Sequence, residues 1–145
     1  MNIENAKPAN VEWLNEVIQE EFPYTKFTME KVASKINNPK YLILIARQEN
    51  IMTGFCETEF VTEKKEARLN AIYVEESWRD QGIAKRMLAQ IVNECKHRKI
   101  TRLFLLVKES NTDAKALYEK TGFKFEKIHN KIIEGEKVEI WAQEV

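Results

Sequence analysis

The run Arg79-Asp80-Gln81-Gly82-Ile83-Ala84 joins the end of an apolar strand pattern to the start of a helical one. A helix start carries several N–H groups without intrahelical acceptors and a partial positive charge, so it suits an anion. Gly82 has no side chain to hold a phosphate off the backbone, and Ala84 is small enough to keep the approach open. Arg79 precedes the helix, and Lys85 and Arg86 fall in its first turn. Cations there oppose the helix dipole, so an anionic ligand explains them better than helix propensity does. The run lacks the Gly-Lys-Ser/Thr ending of a phosphate loop and the paired glycines of a dinucleotide fingerprint. With no evident carboxylate pair for a metal, a nucleotide hydrolase or kinase is disfavoured.

A second chemistry-bearing stretch runs from Ser110-Asn111 to Leu117-Tyr118 and ends at Gly122-Phe123. Asn111 is a strong helix N-cap and Gly122 a helix stop. Seven residues from Asn111 to Tyr118 make nearly two turns, so both lie on one face about 10 Å apart. A phenol there, facing a strand end, can protonate a leaving group. Read alone, it is equally a core aromatic with its hydroxyl at the surface.

These residues need elements to hold them. Asn10 can cap a first helix carrying Trp13, Leu14, Val17, Ile18 and Phe22 at helical spacing. Thr28 opens a second helix through Val32 to Ile36. Tyr41 to Ala46 reads as a buried strand, and Ile51 to Val61 as an alternating one. That alternation puts Phe55, Glu57 and Glu59 on one face and Cys56, Thr58 and Phe60 on the other. Leu69 to Val74 is a third strand, and about Gln81 to His97 a long helix. Ile100 to Val107 is a strand, followed by the Asn111 helix. Phe123 to His129 and Lys137 to Trp141 form a hairpin around Glu134-Gly135-Glu136. The order implies an α/β fold in one domain over residues 1–145, a mixed sheet with helices on its faces.

The chain has 145 residues and a formal net charge of zero. Zero charge gives no global pull toward nucleic acid or an anionic membrane. No apolar run approaches the ~20 residues of a membrane span. The N-terminal Met1-Asn2-Ile3-Glu4-Asn5 has neither the basic nor the apolar character of a signal peptide. Cys56 and Cys95, inside candidate elements, read as buried thiols in a reducing cytoplasm. Two His and two Cys show no zinc-ligand spacing, so no metal is expected.

Taken together, the two chemistry-bearing stretches resemble the GNAT superfamily of acetyl-CoA-dependent N-acetyltransferases. Arg79, Gly82 and Ala84 match its pyrophosphate signature; Asn111, Ala114, Leu117, Tyr118, Gly122 and Phe123 match its second one. The resemblance implies a central, mostly antiparallel sheet of about six to seven strands, splayed in the middle and flanked by about four helices. It also implies acetyl-CoA as co-substrate. Backbone groups of Ile72, Tyr73 and Val74 would meet the pantetheine arm. Arg79, Asp80, Gln81, Gly82, Ile83, Ala84 and Lys85 would surround the pyrophosphate. Tyr118 would protonate the departing thiolate, with Asn111 beside the arm. The acceptor would be a small-molecule, peptide or protein amine, with a homodimer left open. An acetyl-CoA sensor without turnover is the alternative.

An amine is mostly protonated near neutrality, with reference pKa values of about 8 for an α-amine and about 10.4 for a lysine-type amine. Many members of the superfamily carry a glutamate as base four residues before the terminal Val of the third strand; here Asn70 stands there. The ribosomal-protein N-terminal acetyltransferases, similar around Ser110-Asn111 and Leu117-Tyr118, carry one where this chain has Leu106. Glu57 and Glu59 are the remaining candidates, alongside a water chain. Phe22, Tyr24, Phe27 and Trp141 are the aromatic candidates for an acceptor pocket between the first two helices and the last hairpin.

Overall fold

The computed structural model describes residues 1–23 and 28–145. Among these residues, one sheet contains seven strands: β1 (Asn2–Asn5), β2 (Tyr41–Gln48), β3 (Ile51–Val61), β4 (Glu66–Val74), β5 (Arg102–Lys108), β6 (Lys124–Ile133) and β7 (Glu136–Glu144). Four α-helices flank it among the same residues: α1 (Val11–Glu21), α2 (Met29–Ile36), α3 (Ile83–His97) and α4 (Thr112–Lys120). The spatial order is β1-β2-β3-β4-β5-β7-β6. β4 and β5 are parallel, and the other neighbours are antiparallel. β1, four residues with little apolar content, is the strand that the sequence patterns do not reveal; it pairs with β2 from Asn2↔Arg47 to Asn5↔Leu44.

Strand alternation sorts the core into two layers. Ile43, Ile45 and Phe55 pack with Leu14, Val17, Ile18 and Val32 of α1 and α2. Leu44, Cys56, Phe60, Leu69 and Leu105 pack with Met87, Leu88 and Ile91 of α3 and with Tyr118 of α4. Each fully buried side chain of this size stabilises by about 1.5–3 kcal/mol. Asn10 stands where α1 begins, yet its Oδ1 accepts from the Lys7 N–H at 2.8 Å rather than from a helix N–H. Thr28 caps α2 as expected, accepting from the Lys31 N–H. The hairpin turn Glu134-Gly135 has φ of 51° and 77°, the doubly left-handed pattern that matches strand twist.

Two irregularities in β4 shape the middle of the sheet. Glu57 opposes Ala71 while Thr58 opposes Leu69, so Asn70 is an extra, bulged residue. The bulge turns both Asn70 and Ala71 toward the α1/α2 layer, where Asn70 reaches Glu57 and Ala71 packs. Ile72 and Val74 then face the other layer. β4 pairs with β5 only from Glu66↔Arg102 to Leu69↔Leu105. Past Leu69 the two strands part, the splay that the family resemblance implies.

Gly54 opposes Val74 on the outer side of that free stretch. A Cβ at Gly54 would sit 2.6 Å from the Tyr73 carbonyl oxygen, so any side chain must push β4 away. Gly54→Ala is therefore expected to lower unfolding stability in urea by about 1–3 kcal/mol through overpacking.

Candidate active site

α3 begins at Ile83, two residues later than the apolar pattern suggests, because Asp80 (φ 63°) and Gly82 (φ 81°) have left-handed backbones. Gly82 occupies the N-cap position and offers no side chain to the first turn. The Arg86 N–H makes the helical bond to the Gly82 carbonyl at 3.0 Å. The N–H groups of Ile83, Ala84 and Lys85 precede it and have no acceptor one turn back within the helix. A Cβ on Gly82 would meet nothing within 4 Å, so the space before this turn is open. Asp80, Gln81, Lys85 and Arg86 are exposed around it. These features fit an anionic group at the helix start.

Arg79 has a second task that sequence reading does not give. Its Nε donates to the Val74 carbonyl at 2.8 Å, and its guanidinium lies 5.9 Å from the Tyr73 ring centre. It thereby ties the free end of β4 to the segment leading into α3. The Tyr73 hydroxyl donates to Glu75 at 3.4 Å, and burial, then the Glu75 charge, push its pKa up.

Asn111 caps α4, its Oδ1 accepting from the Ala114 N–H at 3.2 Å. Tyr118 is 8% exposed and packs edge-on against Phe123, with ring centres 5.6 Å apart. It shares its layer with Val107 of β5 and with Ile72 and Val74 of β4, the strand segments beyond the parting. Gly122 ends the helix region with φ 102°, and a Cβ there would lie 3.0 Å from Gln143 Oε1.

The two candidate bases lie on the α1/α2 side and are joined by Asn70. Glu57 is 4% exposed; its Oε2 accepts from Lys35 Nζ at 3.1 Å and from Asn70 Nδ2 at 2.8 Å. Glu59 Oε1 accepts from the same Asn70 nitrogen at 3.3 Å, and its Oε2 pairs with Lys40 at 3.3 Å. The residue that replaces the usual glutamate thus donates to both carboxylates. The Tyr41 ring lies 5.1 Å from Lys35 Nζ. Its hydroxyl pKa is raised, by burial first and the Glu59 charge second.

The two described aromatic candidates, Phe22 and Trp141, lie apart. Phe22 packs edge-on against Phe55 in the α1/α2 layer. Trp141 lies in the opposite layer, because β7 pairs it with Leu105, which faces α3 and α4. Its indole Nε1 donates to Glu139 Oε1 at 2.9 Å, and Phe125 packs across it. Phe22 and Trp141 therefore pack on opposite faces of the sheet. Tyr24 and Phe27 lie outside the described residues. Both thiols are buried, and burial pushes Cys56 up to about 12 and Cys95 to about 11. Neither suits a nucleophile.

Gly54, Lys115 and Glu139 are among the residues near this region that sequence reasoning misses. The one available signal is a charge between two apolar residues in Val138-Glu139-Ile140. It marks an oddity without saying which face it is on.

The chain is similar to known proteins in sequence and in fold. A sequence profile of the Acetyltransferase (GNAT) family matches residues 8–123. The ribosomal protein bS18-alanine N-acetyltransferase of Haemophilus ducreyi is 34% identical over 103 residues. That match covers 70% of this chain and 66% of the relative, just under two thirds of its length. The crystal structure of the ribosomal-protein-S18-alanine N-acetyltransferase from Escherichia coli superposes with a TM-score of 0.82 at 26% identity, covering 99% of this chain and 93% of that one. The PaiA N-acetyltransferase of Thermoplasma acidophilum, solved in complex with coenzyme A, has a TM-score of 0.82 at 20% identity, covering 99% and 98%.

Proposed function

The chain belongs to the acetyltransferase (GNAT) family, and on that premise we propose that it moves an acetyl group from acetyl-CoA to a primary amine by direct attack. The observation that carries this reading is the parting of β4 from β5 after Leu69, next to a helix start left open by Gly82. Bound acetyl-CoA supplies a thioester whose carbonyl carbon accepts the amine. Along Ile72, Tyr73 and Val74, the backbone groups that face the gap rather than β3 suit the amides of the pantetheine arm. A backbone N–H in this stretch suits the acetyl oxygen, where a fixed donor contributes most of the stabilisation. Gly82 and the N–H groups of Ile83, Ala84 and Lys85 hold the pyrophosphate, with Arg79, Asp80 and Gln81 around it. Tyr118 gives its proton to the departing sulfur, and Asn111 contacts the arm or a water on that path.

Glu57 borders the amine and takes its proton, directly or through a water, with Glu59 behind it. Support comes from its place beside the β4 bulge, joined to Asn70. Glu57→Gln keeps the shape and the Asn70 contact. It is expected to lower kcat/KM at neutral pH by about a hundredfold and to change the pH–rate profile. If Glu57→Gln and Glu59→Gln both leave that profile unchanged, the base is elsewhere.

The acceptor we favour is a peptide or protein α-amine, as the names of the bS18-alanine relatives suggest. An α-amine, with a reference pKa of about 8, also asks less of a base than a lysine does. Mass spectrometry of products formed from acetyl-CoA tests this. A peptide with a free N-terminal alanine should be acetylated at its N-terminus, ahead of an N-blocked lysine peptide and a polyamine. Preference for either of the latter would contradict the assignment, and no thiol release with any amine would leave a cofactor sensor.

A further inference from the structure

α4 is short for a helix that must place a proton donor. It spans nine residues, and Tyr118 is the one it buries, while Ala114 and Leu117 pack only in part. So little apolar contact orients a short helix weakly. Two polar fastenings from β7 make up the difference. Gln143 Nε2 donates to the Thr121 carbonyl at 3.2 Å, just past the last turn. In the middle of the helix, Lys115 Nζ lies 3.2 Å from Glu139 Oε2 and 3.4 Å from Oε1.

Glu139 is 8% exposed, an unusual place for a carboxylate in a strand. Its Oε1 also accepts the Trp141 indole N–H at 2.9 Å, so the acid group is held from its own strand as well as from the helix. It pairs in the sheet with Val107, in the part of β5 that has left β4. Lys115 sits three residues before Tyr118, less than one turn away. The ion pair therefore links the wall of the gap to the helix turn that bears the phenol.

We infer that Glu139 is a positioning residue for Tyr118: through Lys115 it fixes the rotation of α4, and Trp141 serves by holding that carboxylate rather than by meeting the acceptor. This inference rests on Tyr118 being the acid. The full chain with acetyl-CoA and an N-terminal alanine peptide tests it, using Glu139→Gln, Tyr118→Phe and the two combined. Glu139→Gln keeps the shape and the indole contact but drops the charge. It is expected to lower kcat about tenfold through misplacement of the donor, with KM and the calorimetric Kd for acetyl-CoA unchanged. In the Tyr118→Phe background it should cost nothing further. In the cofactor-free protein, amide exchange of Leu117 and Tyr118 should quicken while that of α3 stays as in the parent. Lys115→Met, which leaves Glu139 on the indole, should reproduce all of this should Glu139→Gln fold poorly. Parent-like kcat in both variants, or the same tenfold loss with Tyr118→Phe present, would overturn the inference alone. Parent-like turnover of Tyr118→Phe itself would overturn the acid assignment, and this inference with it.

Discussion

Gly82→Asp is expected to weaken acetyl-CoA binding by about a hundredfold, read by calorimetry. Two effects act in the same direction. The Gly82 backbone is left-handed at φ 81°, a region that Asp and Asn enter more readily than other residues with a Cβ, so the strain is the smaller effect. More important, the side chain would enter the open space before the first turn, where nothing lies within 4 Å of its Cβ. A carboxylate there faces the pyrophosphate. Two like charges about 4 Å apart repel by about 4 kcal/mol at an effective dielectric near 20. Even half of that exceeds one factor of ten. Gly82→Asn separates the terms, since Asn tolerates the left-handed region and has the same shape without the charge. It should retain most of the affinity. Added salt should narrow the gap between the two variants, because the difference is electrostatic. Equal losses in Asp and Asn would show that the site is crowded rather than charged.

Tyr118→Phe is expected to lower kcat by about a hundredfold, a barrier increase of about 2.7 kcal/mol, with little change in acetyl-CoA affinity. The ring of Tyr118 is buried against Phe123 and the layer around Leu105 and Val107. Phenylalanine keeps that packing, so the fold should survive and the loss should fall on turnover. A thioester with a more acidic thiol needs less help in leaving. The deficit of Tyr118→Phe should therefore shrink with such a donor. A deficit independent of the leaving thiol would move Tyr118 from proton donor to packing residue.

These residues differ in how far the sequence reveals them. Gly82, Asn111 and Gly122 are legible because each serves a local backbone demand: a left-handed turn, a cap, a helix stop. Tyr118 is legible from its spacing to Asn111 and from the family pattern. The helix start at Ile83 is misjudged by two residues because Asp80 and Gly82 adopt left-handed angles that periodicity does not register. What stays hidden depends on register. The bulge at Asn70 puts two successive residues on one face, which strict alternation cannot anticipate. β6 shifts register twice against β7, and the face of Trp141 follows only from the pairing of β7 with β5. Hence Trp141 looks like a partner of Phe22 in the sequence and lies on the other side of the sheet in the structure. Gly54 reads as an ordinary strand glycine until Tyr73 of the neighbouring strand is placed 2.6 Å from its missing Cβ. The Lys115–Glu139 pair spans 24 residues and joins elements whose approach no local pattern encodes.

An amide chemical-shift titration with acetyl-CoA tests the seat of the cofactor directly. The largest shifts are expected on two separated stretches, residues 72–74 at the free end of β4 and residues 82–85 at the start of α3, with Tyr118 following. Shifts gathered instead in the groove between β1 and α3, around Ile3, Gln90, Asn93 and Lys96, with residues 72–74 and 82–85 silent, would contradict it.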